Sequence, residues 1–328
     1  MDGMVLLVLI VALGLAFDYT NGFHDAANVV STVIATRALA PAAAILLAGV
    51  LNTLGATQIS GVAQTISSGL VKPESTTQTM VLCALVGAIG WNVLTWYFGI
   101  PSSSSYALVG GLLGAALLDG GGEVVLWRGV VWKVIIPMIL SPIAGFFLAF
   151  CLMKGLYYWL SGKARQRGEG VFRYLQLASA SLVALSHGLN DAQKSMGIIT
   201  LGLFASGMLA APVIPFWVIL SCAVMIGLGT ASGGFRIIRT VGFQITQLKT
   251  IQGFTTELSA SCVILTASFL GMPVSSTHMI VGSIAGVGAS QGVKEVQWNT
   301  ARKLAVAWVL TLPGSALFAV ISYKVIAL

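Results

Sequence analysis

Two aspartates stand in two copies of one short motif. Asn21-Gly22-Phe23-His24-Asp25-Ala26-Ala27-Asn28 aligns with His187-Gly188-Leu189-Asn190-Asp191-Ala192-Gln193-Lys194, and the shared Gly-x-x-Asp-Ala skeleton recurs after 166 residues. Both copies lie in apolar surroundings, where an ionisable side chain costs about 2.5–3.5 kcal/mol at the centre of a membrane helix and is kept for a task. A carboxylate in such a place holds a cation or a proton, or braces the free amides of a helix end. Asn28 and Lys194 follow the aspartates by three residues and share their helical face. Lys194 either pairs with Asp191 or offers its charge to an anion. His24 and Asn190 precede the aspartates, each as an ion ligand or as the closure of a break in the helix. Asp18 lies further out, at a boundary or in the same polar track.

A second duplicated motif supplies the opposite chemistry. Pro101, Ser103, Ser104, Ser105 and Tyr106 recur as Pro273, Ser275, Ser276, Thr277 and His278, 172 residues on. Proline fits the first turn of a helix, and hydroxyls beside the free amides of a helix N-terminus form an anion site; the plainer alternative is that each hydroxyl bonds its own backbone. Tyr106 and His278 follow the clusters, His278 as a titrating or as a packed ring. Glu257, in Thr255-Thr256-Glu257, is matched weakly with Thr76-Thr77-Gln78 and is either an interfacial glutamate or a cation ligand. Hydroxyls and helix amides attract an oxyanion, whereas two aspartates nearby repel it. In a low dielectric that arrangement requires cations or protons to enter with the anion, which is cation-coupled symport expressed as electrostatics.

The elements that hold these residues follow from composition. Of 328 residues, 57% are hydrophobic and 8% charged, with mean hydropathy +0.93. A soluble domain carries about 25% charged residues, so a soluble fold is excluded. The net charge of +7 is scattered rather than gathered in a basic stripe, which argues against nucleic acid as a partner. Runs such as 4–17 and 42–50 are apolar on every side, unlike the alternating strands of a membrane barrel. The expectation is an all-α polytopic membrane protein. At roughly 20 residues per span, the length allows about ten to twelve segments. The first apolar run lacks the basic start of a cleaved signal and is read as the first span. Cys83, Cys151, Cys222 and Cys262 form no CxxC pair and are read as free buried thiols.

The paired motifs divide the chain into a first repeat, 1–162, a basic linker, 163–173, and a second repeat, 174–328. Lys163, Arg165, Arg167 and Arg173 oppose only Glu169 in the linker, and loops this basic stay cytoplasmic. Equivalent loops differ in charge: Asp119 and Glu123 before Arg128 in one answer to Lys294, Arg302 and Lys303 against Glu295 in the other. Such opposition fits inverted repeats, which place a transport site at their interface near the midplane, and it puts both termini outside the cell. Full spans are expected near 42–58, 78–99, 131–153, 212–230, 257–271 and 304–326. The segments 17–36 and 184–202, and those starting at Pro101 and Pro273, are read as broken or re-entrant helices.

At these motifs the sequence resembles the inorganic phosphate transporter (PiT) family, whose duplicated Gly-x-Asn-Asp-x-x-Asn-like element appears here around Asp25 and Asp191. The resemblance covers both halves. It implies a homodimeric, multi-pass carrier of the plasma membrane, without cofactor or enzymatic activity, that moves phosphate with Na⁺ or H⁺. It further implies that Asp25, Asp191 and the adjacent amide of Asn190 serve the cation, with Na⁺ among them, and that Ser103, Ser104, Ser105, Ser275, Ser276 and Thr277 hold the phosphate. The residue chemistry above adds His24 and Glu257 to the cation side and Asn28 and Lys194 to the phosphate side. His24 replaces the family's first-copy asparagine, Tyr106 stands where relatives often have histidine, and Gln78 where some have glutamate. A permease for sulfate or another tetrahedral oxyanion is the alternative. The aspartates favour phosphate, which has a proton to donate. An intramembrane hydrolase lacks its motifs, since neither HExxH nor GxSxG is present.

Overall fold

The computed structural model describes residues 2–58, 61–160 and 169–326. Among them twelve helices follow one another in two sets of six. The first set is α1 (Gly3–Ala35), α2 (Pro41–Ala56), α3 (Gly61–Ser68), α4 (Gln78–Tyr97), α5 (Ser104–Asp119) and α6 (Trp127–Trp159). The second is α7 (Glu169–Ala205), α8 (Phe216–Ser232), α9 (Phe235–Phe243), α10 (Thr250–Phe269), α11 (Ser276–Gln291) and α12 (Trp298–Ile326).

Local chemistry explains the helix starts. The Asp2 carboxylate accepts from the Met4 amide at 3.3 Å and the Thr77 hydroxyl from the Met80 amide at 3.1 Å, each satisfying a free first-turn N–H. Pro41 occupies the first turn of α2, where its missing N–H costs least.

The two sets interlock. α1 packs on α8 and α9, and reciprocally α7 packs on α2 and α3; α12 packs on α4 and α5, and reciprocally α6 packs on α10 and α11. Four stretches are buried on all sides: 24–33 of α1, 186–203 of α7, 101–112 leading into α5, and 273–290 leading into α11. The outer faces instead present large apolar side chains, among them Leu46, Val50, Phe147, Leu220 and Val309, as a lipid-facing surface does.

Among the described residues, four helices are individually long and apolar enough to cross a membrane: α1, α4, α6 and α12. The number is six if the pairs α2–α3 and α8–α9, which turn by 70° and 75°, each count as one broken span. Broken helices are therefore present, but not where the sequence placed them at the aspartates. α1 is continuous from 17 to its end at Ala35, and α7 through 184–202, because their glycines serve close helix crossings rather than breaks. The prolines are also displaced. Pro101 and Pro273 sit in extended segments ahead of α5 and α11, and the N-caps are Ser103 and Ser275.

Three further readings change. α4 and α10 begin 172 residues apart, at Gln78 and Thr250, as the hydroxyl motifs do, so Glu257 answers to Leu85 and the weak match to Gln78 does not hold. Cys83 and Cys222 are buried, but Cys151 and Cys262 are exposed on the apolar perimeter. Of the basic linker, 163–168 lies outside the described residues and 169–173 forms the start of α7, where Arg173 Nε donates to the Ala38 carbonyl at 3.2 Å.

Candidate functional site

The starts of α5 and α11 meet the middles of α1 and α7 at the centre of the fold. The helix starts brace each other: Thr277 Oγ1 donates to the Ser102 carbonyl at 3.1 Å and Ser105 Oγ to the Val274 carbonyl at 3.0 Å. Each aspartate then receives hydroxyls. Ser104 donates to Asp25 Oδ2 at 2.8 Å; Thr277 Oγ1 also lies 3.0 Å from Asp25 Oδ1 and Ser105 Oγ 3.3 Å from Asp191 Oδ1, so the single proton of each of these last two hydroxyls serves either the carboxylate or the facing carbonyl. The i+3 partners complete the pattern. Asn28 Nδ2 lies 2.9 Å from both Asp25 Oδ1 and Thr277 Oγ1 and 3.3 Å from Ser276 Oγ, and its two N–H groups serve two of these three oxygens. Lys194 Nζ bonds Asp191 Oδ1 and Ser105 Oγ and, at 2.9 Å, the Val274 carbonyl.

Asp25, Asp191, Ser104, Ser105, Ser276, Thr277, Asn28 and Lys194 thus converge on one place, all buried. Ser103 and Ser275 stand at its edge with their hydroxyls committed as caps, accepting from the Tyr106 amide at 3.2 Å and the His278 amide at 3.3 Å. His24 turns partly away: its Nε2 lies 3.3 Å from Thr95 Oγ1 and its Nδ1 3.6 Å from Asp25 Oδ1. Asn190 donates to Ser268 at 2.8 Å and to the Met272 carbonyl at 3.3 Å, away from the hydroxyl clusters, with its Oδ1 unpartnered. His278 is packed, stacked on Trp308 at 3.9 Å between ring centroids and 5.2 Å from Tyr106.

Glu257 does not join this centre. It is fully buried, with no side-chain atoms reaching a surface, and accepts from Thr32 at 2.6 Å, Gln176 at 3.1 Å and Ser179 at 2.5 Å. Thr32 is seven residues along α1 from Asp25, roughly 10 Å on a helix. Among the described residues no Lys, Arg or His pairs with Glu257. At the repeat offsets its surroundings answer to Ile10, Leu13, Leu85 and Ile198, which belong to an apolar cluster. This polar nest therefore exists in one half only.

Sequence reasoning missed His187. Its Nε2 lies 3.2 Å from Asp191 Oδ2, and its Nδ1 lies 2.9 Å from Asn52 Oδ1. Asn52 donates onward to Thr230 at 2.9 Å, so its carbonyl oxygen faces the ring and fixes Nδ1 as the donor. Nε2 and Asp191 Oδ2 then face each other with no hydrogen bond between them, an arrangement that calls for a shared proton or cation. Ligand atoms of Asp25, His187 and Asp191 lie within 4.8 Å of one another, and these three could hold a cation. The i,i+4 spacing of His187 and Asp191 was the available signal. Asp18, read from sequence as standing at a boundary or in the same polar track, is buried in α1 and accepts from Ser195 at 2.7 Å.

Chemically, the centre offers two carboxylates, several hydroxyls and two helix N-termini in one enclosed place. It suits an anion and a cation bound side by side. Comparison with known proteins agrees in family. The description "Phosphate transporter family" matches residues 21–168 and again 158–319. A probable low-affinity inorganic phosphate transporter of Bacillus subtilis is 43% identical over 98% of both chains. Another of Mycobacterium bovis is 44% identical over 98% of this chain and 78% of its own. The solved structure of the sodium-dependent phosphate transporter superposes with a TM-score of 0.91, covering 98% of this chain and 99% of that one at 24% identity, a likeness of fold. With its two halves matched in turn and relatives aligned nearly end to end, this chain belongs to the phosphate transporter family.

Proposed function

We propose that this chain is a secondary transporter that moves inorganic phosphate across the cell membrane together with Na⁺ or H⁺. The observation that carries the reading is the crossing of the repeats at one point: Ser104 of the first half and Thr277 of the second both bond Asp25. Phosphate would take the hydroxyls of Ser104, Ser105, Ser276 and Thr277, the Asn28 amide and the amides opening α5 and α11. Ser103 and Ser275 hold those helix starts in shape. A cation would take Asp25 and Asp191, with His187 beside them. His24 and Asn190 border that place, and Glu257 provides a separate cation or proton position. Phosphate is favoured over sulfate because its proton can be donated to a buried carboxylate. The decisive test is uptake of labelled phosphate into proteoliposomes with Na⁺ and pH gradients imposed separately, and with sulfate as competitor. Accumulation under one gradient, insensitive to sulfate, is expected; uptake indifferent to both gradients would mark a passive channel.

The hydroxyl clusters carry their own prediction. Losing a hydrogen bond to a charged group costs about 1.5–3 kcal/mol. Ser104→Ala and Ser276→Ala should therefore weaken phosphate binding roughly ten- to a hundredfold, read by calorimetry on purified protein. Unchanged affinity in both would leave these serines a purely structural role.

The membrane arrangement completes the proposal. The recurrence of six helices with reciprocal packing supports inverted repeats over 1–162 and 174–328 around a cytoplasmic linker. Counting α7, α10 and the shorter α5 and α11 as membrane elements brings the total to ten to twelve segments. Both termini then lie outside, and family likeness implies a homodimer. Gln166→Cys, on a cysteine-free background, should resist a membrane-impermeant maleimide in intact cells and react in inside-out vesicles. Ready labelling from outside would overturn the orientation.

A further inference from the structure

The two copies of the site are built alike around an oxygen cage, and they differ in what fills it. Around the second half's aspartate, a carboxylate oxygen of Asp191, the Val274 carbonyl and the Ser105 hydroxyl contributed by the first half converge. Around the first half's aspartate, Asp25 Oδ1, the Ser102 carbonyl and Thr277 Oγ1 contributed by the second half converge in the corresponding way, with 3.0 Å from Thr277 to Asp25 and 3.1 Å from Thr277 to Ser102. Carboxylate, hydroxyl and carbonyl oxygens together form the donor set of a hard cation. The residue reaching into each cage stands at the same repeat position, 166 residues apart: neutral Asn28 in the first and charged Lys194 in the second.

Lys194 is fully buried, and its ammonium contacts all three oxygens of the second cage. An ammonium has three N–H donors, so none is left for an anion. No Lys or Arg pairs with Asp25 among the described residues; its nearest cationic candidate is His24 Nδ1 at 3.6 Å. Asn28 adds an amide but no charge to the first cage.

We infer that Lys194 is a resident cation: its ammonium permanently fills the second half's cage, so this chain takes one fewer exchangeable cation with each phosphate than its duplicated architecture provides for. The inference rests on the proposed cation-coupled transport and specifies which half supplies the exchangeable place. That place is the first cage, of Asp25 Oδ1, Thr277 Oγ1 and the Ser102 carbonyl, and Asp25 also has ligand atoms of His187 and Asp191 within 4.8 Å. A lysine serves there because it neutralises a buried carboxylate without having to be captured from solution on each cycle.

The test exchanges the two residues. Lys194→Asn opens the second cage, and Asn28→Lys closes the first. Wild type and both variants are purified, checked for a monodisperse profile, and measured in two ways. Equilibrium binding of ²²Na⁺ at saturating phosphate counts sites without transport, and phosphate binding against Na⁺ concentration gives the reaction order. Lys194→Asn should gain about one bound Na⁺ per chain, and its order in Na⁺ should rise by about one, from zero if the wild type uses only protons or from one if it uses Na⁺. Lys194→Met, which removes the charge without adding an oxygen, should gain neither. Asn28→Lys should lose exchangeable cation binding at the first cage and become insensitive to the coupling gradient. Unchanged Na⁺ stoichiometry and order in folded Lys194→Asn would overturn the inference. If that variant does not fold, Asn28→Lys decides, and retention of the wild-type gradient response would overturn it. Wild-type protein that accumulates phosphate under neither gradient would instead refute the transport reading itself, so the two failures are distinct.

Discussion

Asp25→Asn and Asp191→Asn should each abolish gradient-driven phosphate uptake, by very different routes. Both changes keep shape and polarity while removing one negative charge and turning one acceptor oxygen into a donor. Two unit charges about 4 Å apart at an effective dielectric near 20 attract by about 4 kcal/mol, so losing the carboxylate should weaken cation binding by roughly a thousandfold. Asp25 has no lysine or arginine partner among the described residues, so Asp25→Asn should leave a stably folded protein. Asp191 is bonded to Lys194. Breaking a buried pair from one side costs about 3–5 kcal/mol, because the other charge is left unpaired. Asp191→Asn should therefore melt at a lower temperature than Asp25→Asn. It should also retain phosphate binding better, since the released ammonium can turn to the anion. Adding Lys194→Met to Asp191→Asn should recover much of the thermal stability and lose that retained binding. Calorimetric phosphate titration, thermal melting and proteoliposome uptake on the same preparations check all three statements. Near-normal coupled uptake in both single variants would remove the cation role from the aspartates.

Gly188→Ala should prevent the protein from folding into a monodisperse species, and Gly22→Ala should come close to doing so. These glycines open the duplicated Asp motifs and lie where α7 crosses α2 and α1 crosses α8. A Cβ on Gly188 would fall 2.1 Å from the Asn52 carbonyl oxygen and 2.9 Å from its Cα; on Gly22 it would fall 2.4 Å from the Ile226 carbonyl oxygen and 2.8 Å from the Thr230 amide. All of these are backbone atoms, so no side chain can swing aside and the helices themselves would have to separate. Overpacking ordinarily costs about 1–3 kcal/mol. A rigid backbone contact belongs at or above the top of that range, and Asn52 is also the residue that orients His187. Gly155→Ala is the control: nothing lies within 4 Å of its added Cβ, and alanine in a helix interior is favoured over glycine by roughly 0.5–1 kcal/mol. Fluorescence-detected size exclusion and thermal melting of the three variants should rank Gly155→Ala at or above wild type and Gly188→Ala last. Wild-type behaviour of Gly188→Ala would mean that the α2–α7 crossing is looser than described.

The sequence alone determined the class, the duplication and most of the central residues. Charged residues are so few that only a membrane fold can accommodate the chain, and a polar motif repeated in apolar surroundings marks a site because burying it is costly wherever it stands. Asp25, Asp191 and the hydroxyl motifs were legible on that basis. Local pattern could not show how backbones approach one another. Glycine near an aspartate reads equally as a helix break or as a close crossing, and only the packing of α1 on α8 and of α7 on α2 made it the latter. Nor could spacing assign Lys194 or Glu257. Lys194 is a cation within reach of an anion until its three donors are seen to be occupied by Asp191, Ser105 and Val274, the last two contributed by segments far away in the chain. Glu257 looks interfacial until Thr32, Gln176 and Ser179 close around it. His187 escaped notice because its meaning depends on Asn52, 135 residues distant. In each case hydrophobic burial, which follows from composition, was readable in one dimension. The partner that satisfies a buried polar atom was decided only where helices from both halves meet.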